Sequence, residues 1–94
     1  MMGVETSRWD VQDFLTDDAR IAEYLAAAFE DGDPALIRAA IGDVAKARGM
    51  SSLARETGIT REALYKALGE NGNPTLDTLT KVMKALGFKL SVTA

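Results

Sequence analysis

The sequence contains no cysteine and no histidine. Without thiols there is no disulfide framework and no thiolate metal site, which fits a reducing cytoplasm. The chain also lacks the residue types that most often serve as catalytic base, nucleophile or zinc ligand, and it has no glycine-rich phosphate loop. Its carboxylates concentrate at expected helix starts and turns, where capping accounts for them. We therefore expect a protein that is not an enzyme and that uses no metal or cofactor.

Long apolar runs are absent as well. No segment is apolar over enough residues to cross a bilayer, and the N-terminus, MMGVETSRWD, has no basic start followed by an apolar stretch. The expected location is the cytoplasm, without a membrane partner. What the sequence does contain is 47% apolar residues in a length of 94, enough for one small domain around a single core.

The net charge of −3 hides a division along the chain. Residues 1–43 contain ten acids and three bases, a net charge of −7, whereas residues 44–94 contain eight bases and four acids, a net charge of +4. Opposite charge in the two parts suggests two kinds of contact, and a phosphate-bearing partner suits the basic part. The alternative is that the folded domain interleaves these charges in space.

The chain is expected to begin with an arm, residues 1–16, whose first seven residues show no periodicity and are expected to be loose. Trp9, Val11, Phe14 and Leu15 are too apolar for a free tail and predict a segment that lies across the folded domain. The alternative for Trp9 is an anchor for a partner protein, because tryptophan is favoured in interface hot spots.

Residues 17–94 are predicted to form a single, mainly helical domain. The first helix is expected over 17–31, with Thr16 as a candidate cap and acids in the first turn. The acids around Gly32 lack the oxygen-ligand spacing of an EF-hand, so a turn is favoured over a calcium loop. The predicted buried face of this helix consists of Ile21, Leu25, Ala28 and Phe29.

Two further helices have clear start and stop signals. Asp33 is expected to cap the second helix, with Pro34 at the first helical position and Gly49 closing it. Thr75 is expected to cap the last helix, which runs up to Gly87. The predicted buried stripes are Leu36, Ile37, Ala40, Ile41 and Val44 in the second helix and Leu76, Leu79, Val82, Met83 and Leu86 in the last.

Residues 51–68, SSLARETGITREALYKAL, predict two short helices bent about Gly58. Glycine ends a helix in the left-handed conformation at low cost, and Ile59 behind it can fill the gap between the helices. Thr60 can cap the second helix with its hydroxyl. This pattern predicts a helix-turn-helix.

The outward face of the second short helix carries Arg61, Glu62, Tyr65 and Lys66. In DNA-binding proteins with this motif the second helix lies in the major groove, where long polar side chains reach base edges and phosphates. The alternative is a plain helical hairpin whose exposed face is only solvated.

The segment after this pair, residues 69–74, is dense in turn formers. The amides of Asn71 and Asn73 and the backbone N–H groups can meet a phosphate, although a plain connector has the same composition.

The spacing of apolar residues changes at the end of the chain, from a helical period to alternation. Phe88, Leu90 and Val92 alternate with polar residues and predict a strand over 88–93. A lone strand leaves backbone groups unpaired, so we expect a two-fold dimer in which these three residues meet a second copy. The competing possibility is a tail that folds back on its own chain.

The run LARETGITREALYKALGENGNPTLDTLTKVMKALG resembles the Cro/repressor (Xre-type) helix-turn-helix domain. The small residue Ala54, Gly58, the aliphatic Ile59, the apolar Leu64 and the asparagine-proline loop occur in the order of that family. With the preceding EYLAAAFEDGDPALIRAAIGDVAKARGMSSLA and the ending LGFKLSV, roughly residues 9 to 93 are similar to the addiction-module antidote proteins, HigA-like antitoxins of bacterial type II toxin–antitoxin pairs.

This resemblance implies an all-α, five-helix, lambda-repressor-like domain that dimerises, binds a palindromic double-stranded operator and represses its own operon. It also implies a cognate toxin, typically a small basic ribonuclease of the RelE-like superfamily. A stand-alone Xre-type regulator and a protein-interaction module without DNA binding remain the alternatives.

The recognition face of the family maps onto Thr60, Arg61, Glu62, Tyr65 and Lys66. Arg61 suits guanine acceptors, Glu62 suits the cytosine amine, and Thr60 and Lys66 suit phosphates.

The start of the first short helix departs from the family pattern, because the stretch between Gly49 and Leu53 is shorter than in many repressors. Either Ser51 or Ser52 is expected to cap that helix and to touch a phosphate.

Overall fold

The computed structural model describes Leu15 and residues 17–94. Trp9, Val11, Phe14 and Thr16, for which the sequence makes predictions, lie outside those residues. The described chain is all-helical and contains α1 (Asp18–Asp31), α2 (Pro34–Arg48), α3 (Met50–Thr57), α4 (Arg61–Leu68) and α5 (Leu76–Ala85). None of these helices is long and apolar enough to cross a membrane.

The three longest helices begin at short acidic or hydroxyl side chains. Asp17, one residue later than the predicted cap, accepts the backbone N–H three positions on, at 2.9 Å. Asp33 caps α2 at 3.0 Å with Pro34 at its first position, as predicted. Thr75 caps α5 at 3.1 Å, also as predicted. Each of these caps satisfies a helix N–H group that would otherwise lack a partner.

The core lies where α2 meets α1, α3 and α4, and where α3 meets α5. Burying one leucine, isoleucine or valine side chain in this core contributes about 1.5–3 kcal/mol to the stability of the fold. Because both short helices send leucines into this core, their outward faces are held at fixed positions. The largest fully buried side chains are Ile41 and Val44 of α2, Leu53 of α3, Leu64 of α4, Val82 of α5 and Leu86 just after it.

A polar contact joins α1 to α2. The Tyr24 hydroxyl donates a 2.6 Å hydrogen bond to Asp43 Oδ2 in a partly buried position. Burial, followed by this hydrogen bond and by the charge of Asp43, raises the pKa of Tyr24 to about 12. The sequence gives no sign of this pair, because the two residues are 19 positions apart.

Three apolar residues that the helical period places on buried stripes are exposed. Phe29, Leu36 and Leu76 show 40%, 45% and 72% of their surface, respectively. Phe29 and Leu36 each lie two residues from a helix end, and Leu76 is the first residue of α5. Neighbouring helices cover the middle of a stripe better than its ends, so the period alone predicts too long a buried face.

The predicted strand at residues 88–93 is wrong, because the described chain contains no strand. The Phe88 N–H donates to the Met83 carbonyl at 2.9 Å, and the Gly87 N–H donates to the Lys84 carbonyl at 3.0 Å. With Gly87 at a φ of 89°, these bonds form a Schellman motif that closes α5. The first N–H of the expected strand is therefore used by the helix end.

The tail beyond this motif has an irregular backbone. Phe88 packs against the core, whereas Leu90 is 43% exposed and Val92 is 97% exposed. Residues 88–91 line a groove together with α1, so this part of the tail folds back on its own chain, the competing possibility from the sequence.

Candidate nucleic-acid interface

The bend between α3 and α4 lies where the sequence predicts it. Gly58 has φ 77° and ψ 7°, the left-handed conformation, and its N–H donates to the Ala54 carbonyl at 3.0 Å. Ile59 is partly buried against the core. Thr60 caps α4 by accepting the Ala63 N–H at 3.1 Å, which leaves its hydroxyl hydrogen free to donate outward.

A contact that the sequence reasoning missed also holds this bend. The Thr57 hydroxyl donates to the Leu53 carbonyl at 2.7 Å and accepts the Ile59 N–H at 3.2 Å. One side chain therefore joins the end of α3 to the turn that follows. The signal was available, because threonine in a last helical turn commonly bonds back to the carbonyl four residues earlier.

The outward face of α4 is open to solvent. Its four predicted contact residues are exposed, while two leucines on the opposite side of the helix are buried. An amphipathic helix anchored in this way presents its polar side chains from a rigid support. The exposed residues are Arg61, Glu62, Tyr65 and Lys66, and the buried ones are Leu64 and Leu68.

Two members of this face interact with each other. The guanidinium carbon of Arg61 lies 5.1 Å from the centre of the Tyr65 ring, and Nη2 is 3.5 Å from the Tyr65 hydroxyl. A cation–π contact at an exposed site contributes about 0.5–1 kcal/mol, which restricts the arginine to a stacked position. The spacing of four residues is a helical neighbour spacing that could have indicated this pair.

The start of α3 differs from the prediction. Neither Ser51 nor Ser52 is the cap, because both lie inside the helix, and the N-cap is Gly49 with no side-chain hydrogen bond. The N–H groups of the first turn therefore have no capping side chain and remain at the positive end of the helix dipole. Ser51 is exposed, whereas Ser52 is half-buried and donates to Glu56 Oε2 at 3.4 Å.

Arg55 is a candidate that the sequence reasoning missed. It is exposed on α3 one helical turn after Ser51, so both residues lie on the same side of the helix. Arg55, Arg61 and Lys66 have no ion-pair partner among the residues that the structure describes. Their positive charge is therefore not neutralised by a described acid at salt-bridge distance.

The loop after α4 is held in place. Arg38 of α2 donates from Nη1 to the Gly72 carbonyl at 3.3 Å. A Cβ on Gly72 would lie 2.1 Å from the carbonyl oxygen of Ala67, so only glycine fits this turn. Asn71 and Asn73 are exposed on the two sides of this glycine.

Comparison with known proteins identifies the family. Residues 5–94 match a family described as probable addiction module antidote protein. The chain is also 48% identical over 84 residues to an uncharacterized protein of Haemophilus influenzae, an alignment that covers 89% of this chain and 87% of that protein. No solved structure matches significantly.

An antidote implies a cognate toxin as its partner. Antidotes of this kind are typically non-enzymatic regulators, in agreement with the sequence prediction that the chain is not an enzyme. Because the match extends over nearly the whole length, the chain belongs to the addiction module antidote family.

Proposed function

We propose that this antidote binds the operator of its own operon as a dimer, represses that operon and neutralises the toxin encoded beside it. In this proposal residues 17–94 act in the cytoplasm as one lambda-repressor-like domain. Helices α3 and α4 form an Xre-type, HigA-like helix-turn-helix. The observation that carries the DNA-binding part is the division of α4 into two buried leucines and a continuous exposed polar face.

The roles on α4 follow from the chemistry of each side chain. Arg61 suits the two acceptors of guanine, because a guanidinium donates two parallel hydrogen bonds, and its stacking on Tyr65 reduces the entropy lost on binding. Glu62 suits the cytosine amine. Lys66 and the free hydroxyl hydrogen of Thr60 suit phosphates.

A second set of groups supports contact with the backbone of the duplex. The first turn of α3 has N–H groups without a capping side chain, at an end of the helix that attracts anions. Ser51 and Ser52 lie in that turn, and Arg55 follows one turn later. Asn71 and Asn73 are exposed in the loop after α4. Phosphate contacts of this kind fix the register of a protein on DNA without reading its sequence.

A palindromic operator requires a two-fold pair of subunits. The tail supports that arrangement, because Leu90 and Val92 are exposed apolar residues. We propose that Phe88, Leu90 and Val92 form the dimer contact, with the two tails pairing across the axis.

The test is a footprint on the DNA upstream of the antidote gene, repeated over a range of salt concentrations. We expect protection of an inverted repeat with half-sites about 34–36 Å apart, one duplex turn. Affinity should fall steeply with salt, because each phosphate contact releases counterions. An affinity that depends on neither the DNA sequence nor the salt concentration would favour a protein-interaction module without DNA binding.

The toxin part of the proposal has its own test. The protein encoded by the adjacent reading frame is expected to be a small basic ribonuclease of the RelE-like superfamily and to lose its activity when mixed with this chain. An adjacent protein that neither binds nor is inhibited would favour a stand-alone regulator.

A further inference from the structure

An apolar groove of about 250 Å³ lies beside the loop that follows α4. The end of α1, the start of α2 and the segment leading into α5 form its walls. Its apolar lining consists of Phe29, Pro34, Ile37, Pro74 and Leu79. Phe29 is 40% exposed, so a large aromatic surface faces solvent at this position.

The walls of this groove are fixed before anything binds. Pro34 is held at the first position of α2, and Arg38 ties the opposite loop to α2 through Gly72. Ile37 and Leu79 are partly buried and pack against the core. A preformed apolar groove lowers the ordering cost of binding and suits one inserted side chain of a partner.

Three carboxylates lie next to two of the lining residues in the sequence. Glu30, Asp31 and Asp33 lie in the turn between Phe29 and Pro34 and are exposed. None of them pairs with a base of the described chain. No three acids in the described ranges are grouped to hold a metal ion. Their charge is therefore available to a cationic partner.

We infer that this groove is the surface on which the antidote holds its toxin. The toxin contributes a basic segment with one apolar side chain in the groove and lysine or arginine beside the three carboxylates. The inference rests on the proposed toxin pairing and adds the surface and the chemistry of the segment that it receives. Opposite charge around an apolar anchor favours fast and selective association.

One residue that lines the groove has a buried donor without a partner among the described residues. Arg38 lines the groove, and its Nε is buried without a hydrogen-bond partner in the described chain. A buried donor without an acceptor is costly.

The two other candidate occupants carry the wrong charge. Residues 1–14 contain three acids and one base, so the carboxylates beside the groove would repel them. A second copy in a two-fold contact centred on this groove would place the same three carboxylates against each other. A basic segment avoids both conflicts.

The test measures binding of the full-length chain to the purified product of the adjacent reading frame by calorimetry. The groove variants are Phe29→Gln, which removes the exposed aromatic, and Glu30→Lys, which reverses one flanking charge. Glu23→Lys is the charge control, two turns earlier on α1, and Leu76→Gln is the apolar control, at an exposed residue outside the groove. All four positions are exposed, so melting temperature and operator binding should change little.

We expect each groove variant to bind the toxin at least about tenfold more weakly, as at an interface hot spot, and each control to stay within about twofold of wild type. Glu30→Lys should also flatten the salt dependence of the complex. Wild-type binding with no loss in either groove variant would overturn the groove and leave the toxin pairing intact. No binding of the wild type would instead refute the pairing.

The remaining outcomes identify the rival occupants. Phe29 also lines the groove that the tail occupies, so the dimer is judged on Glu30→Lys, and its dissociation in that variant would assign the groove to a second copy. Tighter toxin binding after deletion of residues 1–14 would show that the chain's own N-terminus competes for it. Either result overturns the inference.

Discussion

Arg61 and Lys66 share the exposed face of α4 but are expected to act differently. Arg61→Ala should cost about 1–3 kcal/mol at particular base pairs, because a bidentate contact to guanine is lost. Lys66→Ala should weaken binding to all sequences alike and reduce the salt slope by about one, because a phosphate contact is lost. Selection from a random DNA pool and salt titrations measure these effects.

Arg61→Lys is the control for this pair, since it keeps the charge and loses the forked geometry. It should keep the salt dependence and lose the base preference. An unchanged sequence preference in Arg61→Ala would mean that this residue does not read a base.

Tyr24 makes stability sensitive to alkaline pH. Its folded pKa is about 12, against 10.0 for the free side chain, so the folded state favours the neutral hydroxyl. The contribution to stability is fully present below pH 10 and is lost as the pH rises towards 12. Tyr24→Phe should remove this alkaline loss and also weaken the domain at neutral pH by about 1 kcal/mol, because Asp43 loses its donor.

The check is a set of denaturant unfolding curves at several alkaline pH values, with a tyrosinate absorbance titration of the same proteins. Tyr65→Phe is the control and should retain the delayed titration. Equal pH dependence of stability in wild type and Tyr24→Phe would contradict the proposed role of the Tyr24–Asp43 bond.

At the level of single residues, sequence separation decided which features could be predicted. Gly58, Thr60 and Asp33 act within their own turn, so local spacing was sufficient. The contacts of Tyr24 with Asp43 and of Arg38 with Gly72 span 19 and 34 positions, respectively. Such contacts depend on how the helices pack, which a single sequence does not specify.

The α3–α4 pair depends on the backbone conformation of Gly58. No atom lies within 4 Å of the place where a Cβ would be, so any cost of substitution is conformational and not steric. Gly58→Val should destabilise the domain by about 1–3 kcal/mol, because a β-branched residue strongly disfavours positive φ. Gly58→Asn should cost less, since asparagine tolerates the left-handed region.

Thermal melting of the two variants, together with operator binding, measures the difference. Equal and small changes for valine and asparagine would contradict the conformational role of this glycine. A loss of operator binding larger than the loss of folded protein would show that the bend fixes the position of α4.

At the level of elements, periodicity predicted helices well and the tail badly. Capping residues and the spacing of apolar residues are sufficient to indicate α1, α2 and α5. A helix satisfies its backbone hydrogen bonds within its own segment, so no partner segment has to be known. A strand needs a neighbour, so the alternation of Phe88, Leu90 and Val92 is not sufficient by itself. The Schellman motif after α5 takes the N–H of Phe88 and removes the first residue from any ladder.

The whole molecule carries two surfaces for which we propose partners. The polar face of α4 is one, and the apolar groove beside Phe29 with its carboxylates is the other. The charge division along the sequence indicated two kinds of contact, but the groove was not predictable. Its walls come from the end of α1, the start of α2 and the residues before α5, and only the packed fold brings them together.

The dimer is a property of the whole molecule, and its prediction concerns the tail. Deletion of residues 89–94 keeps Phe88 and the closure of α5 but removes the exposed Leu90 and Val92. We expect light scattering to show a monomer, and we expect this monomer to remain folded in a thermal melt because its helices are intact. Operator affinity should fall at least about a hundredfold, because each half-site is then bound without the gain in effective concentration that a linked pair provides.

The matched control is Lys89→Ser with Ser91→Ala, which changes the polar residues of the tail and keeps its apolar ones. This double variant should remain a dimer and retain the operator affinity of the wild type. A dimer that survives the deletion would place the two-fold contact elsewhere on the helices. In that case the apolar alternation of the tail would serve only to cover the groove along α1, where residues 88–91 already lie.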